Sequence, residues 1–393
     1  MHNTPAGLPP LDSASAAHAA AVTRHIREQI ERSPQGFMPF DQWMELALYA
    51  PGLGYYAVGN TKFGGASLEG DFTTAPELTP LFGRVLARQI GQILKASNSN
   101  DVLEFGAGSG ALAASVIPAL RELGIEPRYH ILEVSADLRA RQQAKLADLN
   151  AQIAWLDTTP EHFRGCVLAN EVLDAMPVTL FHWEDEETLI EDGVTLSDDG
   201  TADAPFRLAG RPAPDALRRL VSDRMPGFPG YRSEINLRGE AWMKQMGAWL
   251  DHGAALLIDY GFPQYEYYHP QRAAGTLMCH FRHQAHDQPL ILPGLQDITA
   301  HVDFTAMANA AHEGGLELLG YTSQARFLMN AGLPGMLGDL DPSDAQAYGR
   351  TVSAVQKLVS ESEMGELFKV LAVGRGLEAP LLGFSSGDRR HRL

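Results

Sequence analysis

A glycine-rich turn is the part of the sequence with the clearest capacity for chemistry. The apolar run 102–105 leads into residues 106–110 (GAGSG), and the apolar, periodic stretch 112–123 follows. This order predicts a strand, a tight turn and a helix. Glycines let a ligand approach the backbone closely, and the first N–H groups of the helix point at that ligand. The segment therefore predicts a binding site for a nucleotide-type cofactor.

The turn alone does not identify the cofactor. Gly106-x-Gly108-x-x-Ala111 also satisfies the dinucleotide pattern that ends in Gly or Ala. Glu104 favours S-adenosylmethionine, because its carboxylate would face the ammonium group of that cofactor and would repel a pyrophosphate. Glu133, at the end of the second predicted strand, is expected to accept both ribose hydroxyls, a role that suits either cofactor. The structural alternative is a tight turn that binds no ligand.

Polar residues at two further strand ends extend this predicted site. Asp157 follows the third strand, where it would either reach the adenine amino group or be an ordinary solvated aspartate. Asn170 and Glu171 follow an apolar run at the end of the fourth strand. Ligands of open α/β sheets bind at the carboxyl ends of the strands. We therefore expect both residues to belong to the site.

The surrounding pattern predicts an α/β fold. Short apolar runs separated by helical or loop segments indicate a parallel sheet covered on both faces. These runs are 102–105, 129–134, 151–156, 166–170 and 254–260, with further strands expected at 316–321 and 368–374. Helices are predicted from Ser13 or Ser15 to before Ser33 and over 40–49. The turn-rich stretch 52–76 is expected to lack regular structure, 181–206 to form a hairpin insertion, and 340–366 to be mostly helical.

Composition limits the class of partner. The net charge of −17 disfavours duplex nucleic acid or an anionic membrane as the main partner, whereas a basic small molecule or a cationic protein segment fits. Cys166 and Cys279 are too few for a disulfide framework or a zinc site, so we expect a reducing cytoplasm. No apolar run is long enough for a membrane helix, and residues 1–21 lack the pattern of a signal peptide.

With these residues placed, the chain resembles the MidA family of class I methyltransferases over roughly residues 37–327 and the last strand. The family includes a mitochondrial assembly factor that methylates an arginine of a respiratory complex I subunit. The resemblance rests on the strings YAPGLGYY (49–56), GDFTTAPE (70–77), EFGAGSG (104–110), NEVLDAMP (170–177), EIN (234–236), LIDYG (257–261) and DITAHVDF (297–304). Together these strings are far more selective than the glycine turn alone.

The resemblance implies a Rossmann-like, seven-stranded class I methyltransferase sheet with its last strand antiparallel. It implies N-terminal helices and a cofactor-covering lid over 1–95, a core over 96–330 with an insertion at about 180–232, and a helical insertion with the final strand over 331–393. It also implies a protein arginine as the methyl acceptor, with a respiratory-complex subunit as a candidate substrate. The predicted cofactor-binding residues are Asp71, Thr74, Glu104, Gly106, Gly108, Ser109, Gly110, Glu133, Val134, Asp157 and Asn170.

Three acids are candidates for the catalytic step. A guanidinium does not deprotonate freely, so carboxylates must orient it and accept its proton as the methyl group is transferred. We predict Glu171, Glu234 and Asp303 in this role. The alternative for Glu234 is a helix-start carboxylate. His301 shares a strand face with Asp303 if residues 301–303 are extended, although a structural histidine is the commoner case.

Two further clusters have open interpretations. The aromatic residues of 260–268 would either line a channel for a long cationic side chain or pack the insertion. His280, His283 and His286 have a spacing that would place them along one helix face, as in some metal sites, but no Cys or carboxylate completes a ligand set. We therefore predict no metal.

Competing functions remain open at this point. A protein arginine methyltransferase is the first, a methyltransferase for a small molecule or another N or O acceptor on the same core is the second, and a non-catalytic assembly factor that retains the cofactor fold is the third. A nicotinamide oxidoreductase is a distant fourth. The sequence identifies neither the acceptor nor the oligomeric state.

Overall fold

The computed structural model describes residues 7–58, 74–197 and 205–393 of the 393-residue chain. The strands are β1 Met38–Pro39, β2 Asp101–Phe105, β3 Arg128–Leu132, β4 Gln152–Leu156, β5 Phe163–Asn170, β6 Thr179–Trp183, β7 Leu189–Leu196, β8 Phe206–Pro212, β9 Arg232–Ile235, β10 Leu250–Phe262, β11 Met278–Phe281, β12 Gln284–His286, β13 Asp297–Thr299, β14 Val302–Asp303, β15 Glu317–Ser323 and β16 Phe368–Arg375.

The helices are α1 Ser13–Arg32, α2 Phe40–Tyr49, α3 Tyr55–Val58, α4 Ala75–Leu78, α5 Pro80–Ser97, α6 Ala111–Glu122, α7 Ala136–Leu146, α8 Asp215–Ser222, α9 Leu237–Trp249, α10 Gln264–Tyr267, α11 Phe304–Glu313, α12 Gln324–Asn330, α13 Leu333–Gly338, α14 Ala345–Val359 and α15 Met364–Leu367. Among the described residues, no helix combines the length and apolar character that a membrane crossing requires.

The chain folds as two compact units whose segments alternate along the sequence. Unit 1 comprises Met1–Phe72, Asp174–Arg238 and Gln264–Asp303. Unit 2 comprises Thr73–Leu173, Gly239–Pro263 and Phe304–Leu393. Each unit is thus assembled from three separate segments. The division of the chain by sequence order into 1–95, 96–330 and 331–393 stays a prediction.

Unit 2 contains a mixed sheet with the strand order β15-β16-β10-β5-β2-β3-β4. The five strands from β10 to β4 run parallel, as the apolar runs predicted. The strand β16 runs antiparallel to β10 and to β15. Parallel strands need helical crossovers, which explains why helices alternate with these strands along the chain.

Helices pack on both faces of this sheet, as successive side chains of its strands point to opposite sides. On one face, Ile90 of α5 and Val116 of α6 share a core with Leu168 and Leu256, all at most 1% exposed. On the other face, the Trp242 ring of α9 stands edge-on to Phe105, with ring centroids 5.1 Å apart. Burial of each large apolar side chain contributes about 2 kcal/mol to stability, so the sheet is a firm platform for its strand ends.

Unit 1 is built on an antiparallel sheet with the order β1-β7-β6-β9, and β8 pairs with β7. The described residues of the stretch 181–206, which was predicted as a hairpin insertion, thus lie mainly in antiparallel strands. Helices α1 and α2 cover this sheet through a core that includes Ile26, Trp43 and Val194. Helix α1 begins where sequence signals place it, because the Asp12 side chain accepts a hydrogen bond from the Ser15 N–H at 2.8 Å.

The expectation that 52–76 lacks regular structure was wrong at both ends of that stretch. Residues Tyr55–Val58 form α3, and Ala75–Leu78 form α4. The Gly54 carbonyl accepts from the N–H groups of Ala57 and Val58, and glycine fits there because a Cβ would lie 2.5 Å from the backbone of Leu48. Residues 59–73, which include Asp71, lie outside the described residues.

Candidate active site

Strand β2 carries the predicted cofactor turn to the carboxyl edge of the unit 2 sheet. Gly106, Gly108 and Gly110 have φ angles of 59°, 51° and 78°, a region that glycine adopts without a steric cost. The Gly106 N–H donates to the carbonyl of Leu132 at the end of β3, at 3.1 Å. A Cβ placed on Gly108 would meet no atom within 4 Å. The turn is therefore tight, and it is open where a ligand would approach.

Glu104 places a buried carboxyl group directly before this turn. Its side chain is 3% exposed, and its Oε2 accepts a hydrogen bond of 2.7 Å from the hydroxyl of Tyr129. Burial raises the pKa of Glu104 to about 7; the Tyr129 hydrogen bond lowers it and the charge of Glu133 raises it. A carboxylate that is costly to ionise in the free protein is stabilised when a cation binds beside it. The site thus fits the ammonium group of an amino-acid moiety.

Glu133 supplies a second buried carboxyl group, between the end of β3 and the start of α7. One of its oxygens accepts from the Ser135 N–H at 3.0 Å, and the other accepts from Nε2 of Gln142 at 3.1 Å. Burial raises its pKa. Since an ionised carboxylate offers about four acceptor positions, two remain for a vicinal diol. The next residue, Val134, is 75% exposed and presents an apolar surface beside this carboxylate.

Gln142 is a residue of this site that sequence reasoning missed. It is fully buried on α7, and its Nε2 donates to the Gly108 carbonyl at 2.9 Å as well as to Glu133. Its Oε1 accepts from the indole N–H of Trp155 at 3.0 Å. Nothing in the spacing of residues 108, 133, 142 and 155 indicates that they meet, because the contact depends on how α7 packs.

Two smaller members of the predicted cofactor set flank these groups. The Ser109 hydroxyl accepts a hydrogen bond from the Lys145 ammonium at 3.3 Å. Thr74 is the N-cap residue of α4, and its carbonyl accepts from the N–H groups of Glu77 and Leu78. Their contact with the cofactor stays a prediction.

Asp157 is an exposed residue of the predicted site, directly after the end of β4. Its side chain is 84% exposed and pairs with Arg139 at 2.7 Å. An exposed ion pair contributes little to stability, and its aspartate has the geometry of the solvated strand-end residue that was the alternative interpretation. Contact with an adenine amino group stays a prediction.

Asn170 and Glu171 lie at the end of β5, the neighbour of β2 in the sheet. The Asn170 amide donates to Oε1 of Glu171 at 3.0 Å. Glu171 has a φ of 53°, which is uncommon for a residue with a side chain. Its N–H donates to the Ile258 carbonyl at 2.9 Å, and the Leu173 N–H donates to Oδ2 of Asp259 at 3.0 Å. The backbone therefore holds this carboxylate in one direction at some cost in strain.

The other two predicted catalytic acids lie in unit 1. Glu234 is 1% exposed, and its Oε1 accepts from the Tyr267 hydroxyl at 2.8 Å and from both the N–H and the hydroxyl of Thr276. Burial raises its pKa. The alternative of a helix-start carboxylate was wrong, because Glu234 lies within β9 and α9 begins at Leu237.

Asp303 and His301 belong to the same unit as Glu234. Asp303 is 6% exposed and lies 3.8 Å from the guanidinium of Arg224. The His301 N–H donates at 2.9 Å to the Thr276 hydroxyl, the same group that donates to Glu234. His301 and Glu234 thus share Thr276 as a hydrogen-bond partner, whereas Asp303 faces Arg224.

The histidine cluster does not follow one helix face. His280 lies on β11 and His286 on β12, and His283 lies in the turn between them with a φ of 64°. Because the three histidines lie in a hairpin, their three-residue spacing does not place them on one helix face. The aromatic cluster is also divided, because Tyr260 packs on Phe368 in unit 2 whereas Tyr267 and Tyr268 lie in unit 1.

Comparison with known proteins identifies the family. A family model described as "Putative S-adenosyl-L-methionine-dependent methyltransferase" matches residues 85–322. A crystal structure of a protein from Burkholderia thailandensis bound to S-adenosyl-homocysteine is 47% identical, with a TM-score of 0.91 over 98% of this chain and 100% of that one.

Curated relatives are more distant but cover almost the whole chain. The protein arginine methyltransferase NDUFAF7 homolog, mitochondrial, of Drosophila melanogaster is 27% identical over 97% of this chain and 94% of its own. Protein arginine methyltransferase NDUFAF7, mitochondrial, of Danio rerio is 26% identical over 90% of this chain and 86% of its own. As the resemblance to the MidA family implied, the chain belongs to this family of S-adenosyl-L-methionine-dependent methyltransferases.

Proposed function

We propose that this S-adenosyl-L-methionine-dependent methyltransferase methylates an arginine side chain of a protein. The names of its curated relatives support a protein arginine as the acceptor. The observation that carries the proposal in this chain is the Asn170-Glu171 pair, a carboxylate aimed by a left-handed backbone at the carboxyl edge of the sheet. The strand order of unit 2 supports a seven-stranded class I core. A respiratory-complex subunit as the substrate and a cytoplasmic location are further proposals.

The cofactor is S-adenosylmethionine, and the groups at the glycine turn fit its parts. The buried Glu104 carboxyl suits its ammonium group, Glu133 suits its ribose hydroxyls, and the exposed Val134 offers its adenine ring an apolar surface. When bound, the cofactor supplies the methyl group to be transferred. The protein then has to align the acceptor nitrogen with that group and exclude water.

Glu171 is the group we propose to position the acceptor. A guanidinium carries five N–H donors in a planar fork, and a carboxylate accepts them in a fixed direction. The Asn170 amide donates a hydrogen bond to one oxygen of Glu171. The Glu171 carboxylate is therefore oriented before the substrate binds. As a bond forms to one guanidinium nitrogen, the nitrogen becomes more acidic and Glu171 takes up its proton.

Glu234 and Asp303 stay predicted catalytic acids. Both carboxyl groups are buried, and charges attract each other more strongly away from water. Either group would therefore attract a cationic side chain in addition to Glu171. The three hydrogen bonds that Glu234 accepts also support a role in holding Tyr267 and Thr276. Glutamine and asparagine variants at the two positions, assayed separately for S-adenosyl-homocysteine affinity and for kcat, distinguish these roles.

The test uses Glu171→Gln and radiolabelled S-adenosylmethionine with an arginine-containing acceptor protein. We expect the variant to bind S-adenosyl-homocysteine as the wild type does, and its turnover to fall by about 100-fold or more. Glu161→Gln is the matched control, since Glu161 is exposed in the same unit and should be silent. Undiminished turnover of Glu171→Gln would reject the assigned role.

The acceptor class is tested with the lysate of a deletion strain. We expect labelled methyl groups to enter protein and to be recovered as methylarginine after hydrolysis. Label recovered only in small molecules would instead indicate the small-molecule methyltransferase. No transfer at all, with intact S-adenosyl-homocysteine binding, would favour the assembly factor that retains only the cofactor fold.

A further inference from the structure

Gln142 of helix α7 connects three separate parts of the cofactor site, and none of the proposed chemistry uses it. Its carboxamide has both ends occupied: Nε2 donates to the Gly108 carbonyl at 2.9 Å and to the Glu133 carboxylate at 3.1 Å, and Oε1 accepts from Trp155 at 3.0 Å. The side chain is fully buried. A buried amide with matched partners on every side fixes the positions of those partners.

The first partner is the glycine turn. The Gly108 carbonyl is held by Gln142 in the segment where the backbone must stay open toward a ligand. A Cβ on Gly110 would lie 3.5 Å from Cγ of Gln142, in ordinary van der Waals contact. Helix α7 therefore supports the turn from behind through Gln142, while Lys145 of the same helix bonds to Ser109.

The second partner is Glu133. Its carboxylate is held on one oxygen by the Ser135 N–H and on the other by Gln142. Two donors at opposite oxygens define the plane of a carboxylate and favour its ionised form. The plane decides whether two neighbouring hydroxyls can both donate to it.

We propose that Gln142 is a positioning residue for S-adenosylmethionine, which holds the glycine turn and the Glu133 carboxylate in the geometry that accepts the cofactor's ribose. This role rests on the proposed cofactor assignment. Gln142 would act on the cofactor only through Gly108 and Glu133. Trp155 extends the same chain of hydrogen bonds to β4 and supplies a fluorescent reporter next to it.

The charged groups around Glu133 predict how the loss of Gln142 depends on pH. Burial raises the pKa of Glu133, while Ser135, Gln142 and the charge of Arg139 lower it. Without Gln142 the pKa rises further, so the carboxyl becomes neutral at a higher pH and accepts fewer hydrogen bonds. Glu104 is coupled to this titration, because the charge of Glu133 raises the pKa of Glu104. The comparison is therefore repeated in a Glu104→Gln background, where Glu104 no longer titrates.

The experiment compares Gln142→Leu with Gln89→Leu by calorimetric titration with S-adenosyl-homocysteine. Gln89 is the matched control, since it is also fully buried in unit 2 but bonds to Gln92 and to the Gly383 N–H. We expect Gln142→Leu to weaken S-adenosyl-homocysteine binding about tenfold, and we expect the ratio of its Kd to the wild-type Kd to grow as pH falls. Gln89→Leu should lose stability but bind as the wild type does.

Kinetics and fluorescence supply independent readouts. In Gln142→Leu the KM for S-adenosylmethionine should rise while kcat is retained, and the emission of Trp155 should shift in the free protein, as judged against Trp155→Phe. Wild-type affinity in Gln142→Leu, or an equal loss in Gln89→Leu, would overturn the inference. A wild-type chain that fails to bind S-adenosyl-homocysteine would overturn the cofactor assignment itself.

Discussion

At the residue scale, the chemistry of this site is concentrated in carboxyl groups buried at strand ends. Glu104 was predictable from sequence because it lies two residues before Gly106, and Glu133 because it lies at the end of the second apolar run. Gln142 was not, since a polar residue on an amphipathic helix carries no mark of the partner it will meet. Side chains that act directly on a ligand can thus be recognised from local spacing, whereas those that support them depend on packing.

A substitution at Gly108 tests whether the cofactor needs open space at the glycine turn, as distinct from the strain that a side chain causes at a positive φ. Gly108→Ala should cost about 1 kcal/mol of stability through its positive φ, and should also weaken S-adenosyl-homocysteine binding by about tenfold or more, because the new methyl group enters the open space. Gly124→Ala is the control, since Gly124 also has a positive φ and open surroundings but lies beyond the end of α6. Calorimetry and thermal unfolding measure the two effects. Equal affinity in both variants would contradict a ligand at this turn.

Glu104 should make both stability and cofactor binding depend on pH. Its pKa of about 7 in the folded chain lies above the ordinary value, so the folded state holds the proton more tightly and stability falls as pH rises between about 4.5 and 7. Glu104→Gln has no group that ionises at this position, so its stability should not fall over this pH range. At about pH 8 its free energy of unfolding should exceed that of the wild type by on the order of 3 kcal/mol at most. Thermal unfolding of the ligand-free protein at about pH 5 and pH 8 measures it.

The same substitution should act in the opposite direction on the ligand. Wild-type affinity for S-adenosyl-homocysteine is expected to rise as pH increases through about 7, since the ionised carboxylate attracts the ammonium group. Glu104→Gln should bind weakly, with a smaller dependence on pH. A variant that keeps the wild-type affinity and pH profile would show that Glu104 does not face the cofactor.

At the element scale, the strands of the sheet and the helical stretch 340–366 were largely predictable, whereas short helices and turns were not. Apolar runs located β2, β3, β4 and β5 to within a few residues, because strands buried on both faces leave a continuous apolar signal. The helix α3 was missed, as glycines and tyrosines give no helical periodicity over four residues. The three histidines were wrongly expected on one helix face for a related reason. Residues three apart share a helix face, but the same spacing also arises by chance across a tight turn.

Asp259 tests how one element positions another. Its carboxylate on β10 accepts from the Leu173 N–H, which closes the strained turn that carries Glu171. Asp259→Asn exchanges one acceptor oxygen for a donor, so we expect a stability loss on the order of 1–3 kcal/mol and a fall in kcat that exceeds any change in S-adenosyl-homocysteine affinity. Asp251→Asn, an exposed change on the same strand, serves as the control. Wild-type kcat in Asp259→Asn would show that Glu171 is aimed without it.

At the scale of the whole molecule, each unit is assembled from three segments that are far apart in sequence. This interleaving could not be predicted from composition, because both units are apolar inside and polar outside throughout. The net charge of −17 was available from the sequence alone, and it acts on partners irrespective of how the segments are joined.

That charge gives a prediction about the acceptor. A strongly acidic protein attracts a cationic peptide, and this attraction is screened when the Debye length falls from about 10 Å at 0.1 M salt to about 3 Å at 1 M. We expect the KM for an arginine-containing acceptor peptide to rise several-fold over this range, while the Kd for S-adenosyl-homocysteine, which carries no net charge, changes much less. A peptide whose flanking basic residues are replaced by glutamine should lose most of this salt dependence. If its KM and that of the parent peptide respond to salt alike, long-range charge does not guide the acceptor, and recognition rests on contacts such as that with Glu171.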